Sequence, residues 1–507
     1  VSRFSGGDPA RRAPTGQSRG LTRAALIVVA VITAAGCGLR VDHTTVQAAN
    51  QAAVSGGGGG AGGGQNATLG GALTGSGASA GNLAGSSAGA TATSGGGTTG
   101  AAVNAGTGSA ATKGTGGVAA AAPPEGNGGA TDVGVTGDQI LVGNISDLGG
   151  PVPGLFQGGP YGTSAYFNYV NSQGGIYGRR LKLIADDDQL QCNQNEADYQ
   201  DLVTKVFAFV GSWSLDDNCG ATVLSHYPNV ANVSQALTPP AQAVVGEINV
   251  SPFGAGAPNG PFLYYKQHDP ADITKAGTLV GNQAAAVAAW HYARHAAESV
   301  GYKFIYEDDF PPAQNNFTAD VVSMRSQGVQ LVYIVAVNAP DLADFSAEAN
   351  QQNWHPHLFA SGVGYFGAYV QESSGPAAVE GQYVNTPDAM FLGEDAAVIP
   401  EVALFDQWMK NSYPDFPLDQ FAATSWANSA MFVQALKMAG PHLTRAALLA
   451  ALQTIHSFND NGMVAPADPA GKVPTKCYIE LVIHNGRYMR VDDPPSTFRC
   501  DGSYIPY

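Results

Sequence analysis

From residue 131 onward, short apolar runs alternate with longer stretches whose apolar residues recur at helical spacing. "QILVGNIS" (Gln139–Ser146), "RRLKLIADDD", "FAFVGSW" and "NVANVS" read as buried strands. The first two are separated by a glycine-rich loop, "DLGGPVPGLFQGGP", and a helix, "YGTSAYFNYVNSQ". Helical patterns "NQNEADYQDLVTKV" and "CGATVLSHY" separate the others. A second series follows "GPFLYYKQHDPADI". Its strands are "AGTLVGN", "YKFIYE", "VQLVYIVAV" and "HLFASG"; "QAAAVAAWHYARHAAESV", "QNNFTADVVSMRSQG" and "DLADFSAEANQQN" are its helices. Strand–helix alternation with short loops predicts parallel sheets covered on both faces by helices. Two such series predict two α/β lobes.

Beyond about Gly381 the pattern changes. "GQYVNTP" reads as a linking strand, and "EVALFDQWMKNSY", "TSWANSAMFVQALKMAG" and "TRAALLAALQTI" as helices. "CYIELVIHNGRYMRV" reads as a hairpin, with Asn485-Gly486 suited to a type I′ turn.

The first 130 residues have no such periodicity. Arginines precede a short apolar run, "ALIVVAVITAAGC", too short to cross about 30 Å of hydrocarbon. Basic flank, apolar core and small residues predict a secretion signal over residues 1–37. "AAGC" resembles a bacterial lipobox, which implies a lipidated Cys37 holding the chain to the outer face of the cytoplasmic membrane. Residues 38–130, rich in Gly, Ala and Ser, cannot bury enough surface to offset their ordering entropy and should form a disordered tether.

Composition narrows the functional classes. Seven of the 24 Lys and Arg and three of the 40 Asp and Glu precede residue 131, leaving 17 basic against 37 acidic residues in the folded part. That balance argues against nucleic acid as a partner. The 377 residues there are too many for one compact core. Besides Cys37 there are four cysteines, Cys192, Cys219, Cys477 and Cys500, which allow three pairings. The sequence-local pairing, Cys192 with Cys219 and Cys477 with Cys500, closes two loops of similar length. No CxxC pair is present, and "HPH" at His355–His357 is a lone HxH, so no metal and no cofactor is expected. No GxSxG, HExxH or Walker loop points to an enzyme.

Five phrases carry a family resemblance: "GVTGDQILVGNIS", "VNSQGGIYGRRLKLIADDDQ", "KVFAFVGSWS", "GYKFIYEDDFPPAQNNFTADVVSMRSQGVQLVYI" and "KCYIELVIHNGRYMRV". In this order they resemble the type I periplasmic binding proteins, specifically the branched-chain amino acid (Leu/Ile/Val) class of ABC-transporter receptors. The resemblance implies two lobes joined by three crossovers, residues 131–261 with 383–454 and residues 262–382 with 455–507. It implies a cleft that traps a small polar solute, such as an amino acid, amide or small carboxylate, for delivery to an ABC permease. A ligand sensor of the same fold is the alternative.

Ligands of parallel α/β sheets sit beyond the carboxyl ends of strands, beside helix N-termini. The candidates are therefore Ser146, Asp147, Ser212, Trp213, Ser214, Gln235, Ala236 and Thr238 in the first lobe. Asn282, Gln283, Asn338, Ser361 and Tyr365 are the candidates in the second. Hydroxyls would donate to a carboxylate, and Trp213 would wall the site or pack in the core. The loop after the third strand is the leading candidate; helix capping is its rival role, since Ser214 and Asp217 are both good N-cap types. Amino-acid receptors of the class place an acid after the fourth strand of the second lobe; here the loop is "ASGVGYF". A buried ammonium without a counter-charge is costly. Either Asp147 or another acid supplies it, or the solute is an amide, a urea-like compound, a small carboxylate or an aromatic acid.

Overall fold

The computed structural model describes residues 119–312, 314–335, 338–491 and 497–507. The signal, Cys37 and most of the expected tether lie outside the described residues. Two separate sheets organise the chain. The first is parallel, in the order β2-β1-β3-β4, from β1 (Gln139–Ser146), β2 (Arg180–Asp187), β3 (Ala208–Val210) and β4 (Asn232–Val233). β1 pairs with β2 along its whole length, Gln139 opposite Arg180 through Ser146 opposite Asp187. The period-2 alternation of β1 sends Ile140 and Val142 into one apolar layer and Ile145 into another. Gly143 leaves the space that the Phe209 ring fills, 2.8 Å from where a Cβ would sit. Helices α1 (Gly158–Ser172), α2 (Cys192–Leu202), α3 (Asp217–Leu224) and the short α4 (Pro239–Gln242) connect and follow these strands.

The chain then passes through β5 (Gly256–Pro258) and α5 (Gly260–His268) into the second sheet. Its elements are β6 (Ala276–Gly281), α6 (Ala284–Ser299), β7 (Phe304–Phe310), α7 (Thr318–Gln327), β8 (Leu331–Val335), α8 (Ala339–Gln351) and β9 (His357–Ala360). After α9 (Tyr369–Glu372) and α10 (Pro376–Val379) comes β10 (Tyr383–Thr386). Helices α11 (Pro400–Ser412), α12 (Gln420–Ala439) and α13 (Arg445–Leu452) return to the first lobe, and β11 (Ile479–His484), β12 (Arg487–Arg490) and β13 (Tyr504–Pro506) end the chain. The sheet order is β12-β11-β10-β9-β8-β6-β7, parallel from β7 to β10 and antiparallel at β11 and β12. β13 pairs with β5 in a separate ribbon.

Three boundaries differ from expectation. Tyr383 was expected to begin the return to the first lobe, yet β10 is hydrogen-bonded between β9 and β11 and so belongs to the second sheet. The expected start of the second lobe at Ile455 is also early: Asn461 donates to Glu401 of α11, and Ala389 N donates to the Met463 carbonyl at 2.8 Å. The second and third crossovers run side by side, bridged at Asp388 and Val464. The expected tether end at Ala130 is too late. Tyr177 N donates to the Ala120 carbonyl, and the buried Arg179 guanidinium donates to carbonyls of Asn127, Gly129, Thr136 and Pro441. A buried cation needs acceptors, and the glycine-rich chain supplies them from its backbone.

The disulfides are Cys192–Cys219, joining α2 to α3, and Cys477–Cys500, the sequence-local pairing. Among the described residues, no helix is long and apolar enough to cross a membrane. Helix α12 is buried over most of its length and packs against α1, where a Cβ on Gly162 would run into the Ala422 carbonyl. Gly162→Ala should therefore destabilise the protein by about 1–3 kcal/mol through overpacking, although alanine is the better helix former. Equilibrium denaturant unfolding measures this, and unchanged or increased stability would contradict the close helix crossing.

Candidate functional site

The loops beyond the carboxyl ends of β1, β8 and β9 converge on the N-terminus of α12 around a hollow of about 230 Å³. The first lobe contributes Val152 to Leu155, Gln157, Phe416, Pro417 and the start of α12, Gln420 and Phe421. The second contributes Asn338, Ala339 and Pro340 at the start of α8, with Val363 and Phe366 after β9. Contact across the seam is direct: Gly367 N donates to the Leu418 carbonyl at 3.1 Å. The walls are mostly aliphatic, aromatic or proline. Gln157, Asn338 and Gln420 supply amides; among the described residues Asp419 is the one acid in the lining, and no Lys, Arg or His lines the hollow.

Two of these polar groups have structural duties. Asn338 caps α8, its Oδ1 accepting from Asp341 N at 2.8 Å. Asp419 caps α12, accepting from Ala422 N at 2.8 Å. Burial pushes the Asp419 carboxyl up to about 7 against the opposing backbone donors. Gln157 donates from Nε2 to the Tyr161 hydroxyl at 2.6 Å.

A second hollow, about 240 Å³, lies among the connecting segments. Ser251 to Phe253, Gly256 to Pro258, Asn385, Pro387, Pro474, Thr475, Cys477 and Tyr478 line it with Ala285, Ala289 and Tyr292 of α6. It is walled by the crossovers between the lobes, whereas the first hollow is walled by strand-end loops of both.

Of the sequence candidates, only Asn338 lines the first hollow. The first-lobe hydroxyls are turned inward. Ser146 Oγ donates to Asn144 Oδ1 at 2.8 Å and accepts from Trp213 N at 3.0 Å. Ser212 Oγ accepts from Ile145 N, and Ser214 Oγ accepts from Asn195 and from Asp216 N. Thr238 donates to Asp217. Trp213 is packed against Phe156 and Phe421, and its Nε1 donates to Ser425 Oγ at 2.9 Å. Gln235 donates to the Ser251 carbonyl and, with Ser212, Ser214 and Ala236, borders a void of only about 10 Å³ inside the first lobe. In the second lobe Asn282 is exposed and Gln283 half-buried, neither lining either hollow. Ser361 precedes Val363 on the β9 loop. Tyr365 is fully buried, donating to Glu394 at 2.6 Å.

Asp147 lies fully buried behind the seam and accepts from Leu190 N at 3.0 Å and Leu215 N at 2.9 Å. It ties together the loops that lead into α2 and α3. Burial, and then the neighbouring Asp188 carboxyl, push it up to about 9. So placed, it is not a free counter-charge for a solute ammonium.

The residues that sequence reasoning passed over sit at the start of α12. The helix was read from Thr424, but it begins at Gln420. Asp419 is a good N-cap residue two positions after Pro417, and that pair is the signal for the earlier start.

A family model described as periplasmic binding protein matches residues 139–492. Solved structures share the fold at low identity. A fatty acid ABC transporter substrate-binding protein from Thermomonospora curvata is 20% identical with a TM-score of 0.60, over 76% of this chain and 97% of that one. A possible leucine/isoleucine/valine-binding protein from Rhodopirellula baltica is 16% identical with a TM-score of 0.60, over 70% and 96%. An ABC transporter solute binding protein from R. palustris in complex with benzoate is 16% identical with a TM-score of 0.59, over 71% and 99%. No curated protein matches the chain in sequence.

The buried Asp147 makes a pH prediction. Its folded pKa lies above the ordinary value of 3.8, so its contribution is greatest below that value and is lost as pH rises towards about 9. Asp188→Asn removes the neighbouring charge and should flatten the fall in unfolding free energy between pH 5 and 9, whose limiting slope for one proton is about 1.4 kcal/mol per pH unit. Denaturant unfolding across that range measures it; identical pH profiles for the two proteins would refute the assignment.

Proposed function

This chain belongs to the periplasmic binding protein family, and we propose that it is the extracytoplasmic receptor of an ABC importer, holding a small solute in the hollow at the start of α12. One observation carries the reading: strand-end loops of both sheets and the N-termini of α8 and α12 surround a single hollow. A guest there touches both lobes and leaves the crossovers free to bend. The fold family is a non-catalytic one, in keeping with the lack of an enzymatic motif.

The lining selects the guest. Val152, Leu155, Val363, Phe366, Phe416 and Phe421 favour an apolar body, branched or aromatic. Gln157, Asn338 and Gln420 meet an amide or carboxyl end by hydrogen bonds rather than by ion pairing. A standard amino acid fits less well, since Asp419 already caps a helix and Asp147 is sealed behind the seam. Solved relatives whose names carry fatty acid and benzoate agree with an apolar guest. The receptor is proposed to be exported and held to the membrane by lipidated Cys37, handing its solute to a permease.

Thermal unfolding of the purified protein against benzoate, short fatty acids, their amides and branched-chain amino acids tests the reading. A solute at a hundredfold excess over its Kd stabilises by about 2.7 kcal/mol. For a folded part of this size that is a rise of roughly 3 °C. We expect such a rise with at least one apolar acid or amide, and its loss in Val363→Trp, which fills the hollow. No rise with any compound, or a rise that survives the filled hollow, would refute the site.

A further inference from the structure

At the end of the second sheet away from the seam, three metal-ligating side chains from separate elements meet. Asp269 follows the last turn of α5, its N donating to the Tyr265 carbonyl at 2.9 Å. Asp272 opens the 3-10 turn Asp272–Lys275 that leads into β6. His357 is the first residue of β9, in register with Leu331 of β8 and through it with Ala276 of β6. One donor atom from each of the three lies within 4.8 Å of the other two. Nδ1 of His357 is 2.6 Å from Asp272 Oδ2. No Lys or Arg among the described residues pairs with either carboxylate, so His357 is the one cation-forming group set against two negative charges. The buried Tyr265 hydroxyl, 3.4 Å from Asp272 Oδ2, supports that carboxylate from behind.

We propose that Asp269, Asp272 and His357 form a binding site for a zinc-like divalent transition ion, which pins the start of β9 to the α5–β6 connection. Two carboxylate oxygens and one imidazole nitrogen are a three-ligand set that leaves a position for water, as in open zinc sites. The imidazole nitrogen favours this class over magnesium or calcium, hard cations that prefer all-oxygen coordination completed by water. Binding requires the His357 Nδ1 lone pair. The proton at Nδ1 moves to Nε2 through solvent, or is released if the ring is charged, and the Asp272 oxygen it engaged turns to the metal. His357 is exposed and both aspartates are partly so, which leaves the three side chains room to turn towards a shared ion. Tyr265 acts as a positioning residue, orienting the Asp272 carboxylate as outer-shell donors orient metal ligands. The HxH spacing of His355 and His357 does not reveal this site, since the partners of His357 lie more than eighty residues upstream.

The test is a zinc chloride titration of the full chain, stripped with chelator, by calorimetry. The parent carries His291→Ala and His295→Ala, because that exposed i,i+4 pair on α6 would itself take up zinc. One zinc per chain is expected. His357→Gln and Asp269→Asn should each weaken binding at least 30-fold, and Tyr265→Phe about 10-fold, with circular dichroism unchanged. Zinc-edge anomalous diffraction should place the ion between the three side chains. Absence of saturable zinc binding, affinity indifferent to His357→Gln and Asp269→Asn, equal affinity for magnesium, or an anomalous peak elsewhere would each overturn the proposal.

Discussion

The seam between the lobes depends on the burial of one helix. α12 enters the first lobe with fifteen of its twenty residues buried. Its polar side chains are used to lock it in place. Ser425 accepts from Trp213 Nε1, Trp426 donates to Glu401 at 2.8 Å, and Asn428 accepts from Val250 N at 3.0 Å. Those partners lie on the β3 loop, on α11 and on the approach to the first crossover. Fixing this helix fixes where its first turn ends. That turn, with Asp419 as cap and Phe421 against Phe156 and Trp213, is the first-lobe wall facing the second sheet.

A division of labour follows. Hydroxyl and carboxylate groups at the strand ends of the first lobe are spent on backbone donors: Asp147 on Leu190 and Leu215, Ser212 on Ile145, Asp217 on Leu237. Short strands such as β3 and β4 offer few ladder bonds, so side chains must satisfy the loops that continue them. What remains for the seam is apolar surface and three side-chain amides. The physical consequence is a hollow whose described lining is mostly apolar, with Asp419 as its one charged side chain, in a protein whose formal net charge is −16.

Strand and helix order was legible because it rests on periodicity, which survives without tertiary context. β1 occupies the residues its pattern assigns, Gln139–Ser146, and the terminal hairpin turns at Asn485-Gly486. The destination of side chains was not legible. A serine beyond a strand can face the cleft or the next loop, and one residue of register decides which. Ser146, Ser212 and Ser214 all found partners within their own lobe. β10 misled for a related reason: all four of its residues pair with β11, almost a hundred residues further on, while only Tyr383 and Val384 pair with the preceding strand β9. Phe416, Gln420 and Phe421 reach the chamber across more than 250 residues from the β1 loop, a proximity that no local pattern encodes.

Hydrogen–deuterium exchange with and without a stabilising solute tests the central claim most directly. If the guest is enclosed where strand-end loops meet the start of α12, residues 148–158, 338–341, 361–367 and 416–422 gain protection together. Protection confined to the crossover segments, residues 237–258 and 474–478, would place the guest in the other hollow and contradict the account.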